Sequence, residues 1–115
     1  MSREFDASTC TRVDSKLLHS LPMNRLVRAV GKVLKIEDRT LTLESVDLGQ
    51  IVVNLVVTDP ETITATYVEV TGRIKEDYVL NELTLMNLGE WMSYDMQKTM
   101  IKLQQQFPDM FDPNP

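Results

Sequence analysis

The sequence predicts a mainly β domain, a small five-stranded Greek-key barrel with a short helix at its N-terminal end and an amphipathic helix at its C-terminal end. Three observations predict it. Between Arg25 and Leu88 the chain offers five short segments rich in β-branched residues, most of them alternating apolar with polar at the period of half-buried strands. The first of these segments is long, and its alternation slips once beside a glycine. From Ser93 to Phe107 the apolar spacing changes to that of a helix.

Taken in order, Met1 to Cys10 is polar, lacks an apolar period and is expected to be a flexible tail (residues 1–10). Asp14 or Ser15 then caps a short helix reaching Leu21, with Leu17, Leu18 and Leu21 as its apolar face and Pro22 as its stop. Arg25 to Ile36 reads as a long strand. Val27, Ala29, Gly31 and Val33 face one way, and Arg28 and Lys32 the other. The pattern then slips so that Leu34 and Ile36 flank Lys35 as its apolar partners, a sign of a bulge or sharp bend. A strand that curls this way can serve two parts of a barrel.

Glu37-Asp38-Arg39 is a tight turn into Thr40 to Ser45, with Leu41 and Leu43 inward. Asp47 to Gln50 turns the chain into Ile51 to Val57. Thr58-Asp59-Pro60-Glu61 is a helix-start signature, because it joins a capping side chain, a proline at the first position and an acid in the first turn; only one or two turns fit before Ala65. Tyr67 to Glu76 alternates cleanly, with Val68, Val70, Gly72 and Ile74 on one face, and Tyr78 to Leu88 is the fifth strand. Helix, three strands, short helix, two strands, helix is the outline of an OB-fold over residues 11–90. A small α+β sandwich is the competing arrangement.

The last segment, residues 91–112, carries the terminal helix. At about 100° per residue, Met96, Met100, Leu103 and Phe107 fall within an arc of about 60°, nearer a coiled-coil seam than the broader stripe of a helix lying on its own core. Tyr94 and Ile101 project from nearly the opposite side. One surface is expected to rest on the barrel while the seam meets a partner. Ser93 caps the first turn, Asp95 adds favourable charge there, and Phe107-Pro108 ends the helix.

Composition narrows the function. A chain of 115 residues with 43% apolar content suits one domain. Cys10 has no second cysteine with which to form a disulfide or a thiolate zinc site, and a reducing compartment is expected. No apolar run reaches the roughly 18 residues of a membrane span, so a soluble intracellular protein without a membrane partner is expected. The net charge of -5 argues against a protein whose main affinity comes from wrapping nucleic acid. The charge is uneven, however. Arg12, Lys16, Arg25, Arg28, Lys32, Lys35 and Arg39 crowd the first third, whereas Thr40 to Gly72 has no cation and carries Glu44, Asp47, Asp59, Glu61 and Glu69. No metal-ligand cluster, phosphate-binding glycine loop or nucleophile-and-base pair is present, and His19 has no second ligand beside it. No catalytic residue, metal or cofactor is assigned.

Several stretches together resemble a known family: Thr11-Arg12-Val13-Asp14 with Leu17-Leu18, Val27-Arg28-Ala29-Val30-Gly31-Lys32-Val33, Tyr67-Val68-Glu69-Val70-Thr71-Gly72-Arg73-Ile74, and the helix with its Gln106-Phe107-Pro108-Asp109-Met110-Phe111 ending. In that order and spacing, they resemble the smallest subunit of replication protein A, the eukaryotic heterotrimer that binds single-stranded DNA. The resemblance implies a nuclear OB-fold protein acting in DNA replication, repair and recombination. It also implies a C-terminal helix joined in a three-helix bundle by one helix from each of two larger OB-fold subunits. Met96, Met100, Leu103 and Phe107 would form the bundle seam, and Trp91 and Met92 would anchor the helix to its own barrel. The small OB subunit of the telomere-capping complex that parallels replication protein A shares this outline; the Phe107-Pro108 ending and the amphipathic helix favour replication protein A.

Direct binding of single-stranded DNA is the other reading. Barrels that do this stack bases on aromatic residues and draw the backbone along a basic groove. The second and third strands here contain no Phe, Tyr or Trp, so DNA is expected to be met mainly through the partners. Arg25, Arg28, Lys32 and Lys35 are left as a weak phosphate contact.

Overall fold

The computed structural model describes residues 10–107. Six strands, β1 (Thr11–Val13), β2 (Leu26–Glu37), β3 (Thr40–Ser45), β4 (Gln50–Asn54), β5 (Tyr67–Ile74) and β6 (Leu80–Gly89), are joined by helix α1 (Ser15–Leu18) and followed by helix α2 (Tyr94–Gln106). The domain is mainly β and OB-fold-like. The long β2 organises it: its first half pairs antiparallel with β5, from Leu26↔Arg73 to Lys32↔Tyr67, and its second half with β3, from Gly31↔Ser45 to Glu37↔Thr40. The β3 carbonyl of Glu44 comes so close to Gly31 that a side chain there would collide with it. The expected irregularity lies between Val33 and Lys35. It turns Leu34 out to solvent rather than inward beside Ile36.

Pairings continue β3–β4 antiparallel, β4–β6 parallel through Val53↔Leu80 and Asn54↔Asn81, and β6–β5 antiparallel, which returns the sheet to β2. Alternation sets the core: Val27 and Ala29, Leu41 and Leu43, Ile51 and Val53, Val68 and Val70 all point inward and are buried. This is the period-2 rule applied to strands with one wet face.

Three local expectations are corrected. Thr11–Val13 is a strand, parallel to β2 through Thr11↔Val27 and Val13↔Ala29; three residues are too few to show a period. Helix α1 stops at Leu18, although Asp14 caps it through a 2.8 Å bond from the Leu17 N–H. The segment after Asp59 forms a single 3-10 turn, Pro60–Thr62, within the one or two turns expected there. Cys10 is buried instead of belonging to a loose tail; the rest of that expected tail, residues 1–9, lies outside the described residues.

Candidate functional site

Helix α2 is held by one row of side chains and presents another outward. Ser93 caps it, its hydroxyl accepting a 3.1 Å bond from the Met96 N–H, and at the far end the Phe107 N–H donates to Leu103 O at 2.8 Å. Tyr94, Gln97, Ile101 and Gln104 follow one another at spacings of 3, 4 and 3 and are buried or half-buried. The row Met96, Met100, Leu103 and Phe107 is turned from theirs by about 110° at helical geometry. Met96 is 63% exposed, Phe107 52% and Leu103 38%, while Met100, nearest the docked row, is half-buried. The side chains expected to form the seam therefore share one outward flank of the helix.

Polar contacts fix the docking. Gln104, only 8% exposed, places its side-chain amide against the free edge of β1: the Arg12 N–H donates to Gln104 Oε1 at 2.7 Å, and Gln104 Nε2 donates to Arg12 O at 2.9 Å. The amide thus occupies the place of one residue of a neighbouring strand. Near the other end, Tyr94 donates its hydroxyl hydrogen to Glu44 Oε1 at 3.2 Å and meets the Tyr67 ring edge-on at 6.2 Å between centroids. Burial, reinforced by the bond to Glu44, pushes the Tyr94 hydroxyl up to about 12, so it stays neutral. Between these ends Ile101 lies in a small crevice with Val30 and Val46. Trp91 does not anchor the helix. It is 78% exposed, on the segment between β6 and α2 that follows Gly89 with its φ of 114°.

The expected basic residues do not converge. Arg25 donates to Thr11 Oγ1 at 2.7 Å at the foot of β2. Arg28 is half-buried beside Arg12, Gln97 and Ile101 in the crevice under α2. Lys32 is exposed, and Lys35, past the bulge, is ion-paired with Glu37 at 2.9 Å. A strand rising about 3.3 Å per residue spreads these four along most of its length.

Two carboxylates that the sequence reading did not single out are embedded in the fold. Glu82, fully buried, accepts from the N–H groups of Val56, Val57 and Thr58 at 3.0, 2.8 and 3.0 Å and from Thr58 Oγ1 at 2.6 Å. Burial alone would raise its pKa; these bonds to the ionised form outweigh it and hold the pKa below the usual range. Arg39 grips the same loop from the carbonyl side through Leu55 O and Thr58 O at 2.7 and 3.0 Å. Asp47 ties the β3–β4 turn to α1 by accepting from Ser15 Oγ at 2.8 Å and Lys16 N at 3.1 Å. Gly49 sits so close to Ser15 that no side chain fits. These acids support loops. Among the described residues, no group of three or more His, Cys, Asp or Glu is placed to hold a metal ion.

The fold has solved counterparts. A chain of U. maydis replication protein A, in a structure bound to ssDNA, is 22% identical over 90% of this chain and 96% of that one, with a TM-score of 0.82. Telomere capping protein Ten1 from Saccharomyces pombe is 14% identical over 84% and 98%, with a TM-score of 0.71. A chain of the S. pombe Stn1-Ten1 complex is 13% identical over 84% and 92%, with a TM-score of 0.73. No curated protein matches significantly. These likenesses show the fold. The sequence itself, terminal helix included, matches the family model described as Replication factor A protein 3 over residues 1–111, and the chain belongs to that family.

Proposed function

We propose that this chain is the smallest, non-catalytic subunit of a replication protein A type heterotrimer, a nuclear complex that binds single-stranded DNA in replication, repair and recombination. The observation that carries this reading is the unpartnered flank of α2. Met96, Met100, Leu103 and Phe107 form one row on a helix whose opposite needs are already met by Ile101, Gln104 and Tyr94. Each large apolar side chain taken out of water contributes roughly 1.5 to 3 kcal/mol, about 6 to 12 kcal/mol gross for four before association and ordering costs. That suits a bundle completed by one helix from each of two larger OB-fold subunits. The return pairing of β5 onto β2 supports a closed five-stranded Greek-key barrel as the body that carries the helix.

DNA is met mainly through those subunits. The outward face of β3 and β4 has no aromatic residue for stacking, and of the basic set only Lys32 and Lys35 are exposed, Lys35 already paired with Glu37. Any direct contact by Arg25, Arg28, Lys32 and Lys35 is a weak, salt-sensitive one. Purifying the tagged chain from its native cells and identifying what accompanies it tests the reading. Two larger OB-fold proteins of a replication protein A complex are expected. Recovery of a telomere-capping partner alone would replace the reading with its telomeric counterpart.

A further inference from the structure

Trp91 is the one tryptophan of the chain, and it stands 78% exposed between two fixed points. On one side the Glu90 carboxylate accepts from the Thr66 N–H and from Thr66 Oγ1, both at 2.8 Å, which ties the residue after β6 to the residue before β5. On the other, Ser93 caps α2 through its 3.1 Å bond from the Met96 N–H, and Met92 between them is half-buried. The backbone that carries the indole is therefore held on both sides. A large aromatic side chain presented this way loses little freedom when a partner covers it, and tryptophan is among the residue types that most often anchor an interface.

We propose that Trp91 is a second anchor for one of the two larger subunits of the proposed complex, and that it receives a basic side chain of that subunit, an arginine above all. This deepens the assembly reading and rests on it. Position links the indole to the seam. Two residues of chain, at most ~7 Å, and one helical turn separate Trp91 from Met96, the first seam residue and 63% exposed, so the two lie within about 12 Å of each other. A segment that packs on Met96 is within reach of Trp91.

Charge selects what meets it. Glu90 and Asp95 flank the tryptophan in the chain, both are exposed, and neither is ion-paired among the described residues. The bonds from the Thr66 N–H and hydroxyl hold the Glu90 carboxyl below its usual range, so it is charged at neutral pH. Glu44, brought near by its bond from Tyr94, stands opposite Lys32 across β2 and β3 and is offset by it. Lys98 comes a turn later on α2, and the positive end of the helix, worth about half a charge, leaves the balance beside Trp91 negative. A guanidinium meets both features at once, with its flat face on the indole and its N–H groups on a carboxylate. The same charges argue against the other occupants. A nucleobase can stack on an indole, but its phosphates would stand against Glu90 and Asp95. A second copy of this chain would bring two such acidic sites together.

The test assembles the full-length chain with its two larger subunits and compares wild type with Trp91→Phe, Trp91→Ala and Asp95→Arg, the melting curve of each free chain serving as the check on folding. Trp91→Ala should weaken assembly at least ~10-fold, Trp91→Phe should weaken it less, and Asp95→Arg should act in the same direction. Because Trp91 is the one tryptophan, fluorotryptophan labelling gives the chain a single fluorine resonance. It should shift on assembly and stay in place when a short oligothymidylate is added to the free chain. If wild type assembles and Trp91→Ala assembles as tightly, or if the resonance does not move in the complex, the anchor is overturned and the assembly reading stands. If Asp95→Arg assembles as tightly as wild type or more so, or if the oligothymidylate moves the resonance, the basic occupant is overturned. If wild type forms no complex at all, the assembly reading itself falls, and the anchor with it.

Discussion

Replacing Gln104 by Leu removes the amide and keeps an aliphatic stem and a comparable helix propensity, so it tests the clasp on β1. The clasp consists of two bonds, at 2.7 and 2.9 Å, made by a side chain that is 8% exposed. A net 0.5 to 1.5 kcal/mol per bond gives about 1 to 3 kcal/mol, or roughly 5- to 150-fold in an opening equilibrium. The lower half is expected. Arg12 lies at the margin of the helix, and water can reach its backbone once the amide is gone, whereas a deep site would impose the full desolvation penalty. Hydrogen exchange of the Arg12 amide reads the effect directly, because that N–H has Gln104 Oε1 as its acceptor. Exchange should accelerate by roughly 10-fold for Arg12 and for the α2 amides, with β3 and β5 little changed. Gln104→Glu should fall between wild type and Leu, since a carboxylate still accepts from Arg12 N–H but faces the Arg12 carbonyl with no donor. Unchanged exchange at Arg12 in Gln104→Leu would refute the clasp as the device that fixes the helix.

Two further outcomes follow from buried groups. Glu82→Gln keeps the shape but replaces charge-assisted bonds with neutral ones, at a cost of about 1 to 3 kcal/mol at neutral pH. The folded-state pKa of Glu82 is lowered, so its contribution is present above the ordinary carboxylate value of 4.5 and is lost as pH falls through the lowered value. Urea titrations should show the gap between wild type and variant closing below about pH 4.5; a gap independent of pH would contradict the assignment. Tyr94 works in the other direction. Its value is raised to about 12, so the stability it gives is full below the ordinary value of 10 and fades as pH rises from there through the raised one. Ultraviolet titration should find one tyrosine ionising late, and Tyr94→Phe should remove that late step; a late step that survives belongs to another residue.

Much of the framework was legible because it rests on period. The alternations of β3 and β5, the slip of β2 beside Gly31, the Ser93 cap and the stop at Phe107 are local signals, and each appears where the chain puts it. What escaped depends on contacts distant in sequence. β1 is only Thr11–Val13, too short to alternate visibly, and it is defined by its pairing with β2. Gln104 is separated from Arg12 by most of the chain; its signal was a polar residue on the same helical row as Tyr94 and Ile101. Glu82 stands two residues from buried Leu80 on one strand, and an acid at an inward position marks a carboxylate that must be satisfied inside. Trp91 was misplaced by its type. A large aromatic residue next to a core suggests packing, but on the segment between β6 and α2 Trp91 stands in solvent.

The central claim is that the outward flank of α2 recruits the partners, and the most direct measurement is complex formation by the double substitution Met100→Asp with Leu103→Asp. Both residues lie off the row that docks on the sheet, so the domain should keep its melting transition while co-purification of the two larger subunits of the proposed complex is abolished. A folded variant that still recovers both subunits at the wild-type ratio would contradict the account.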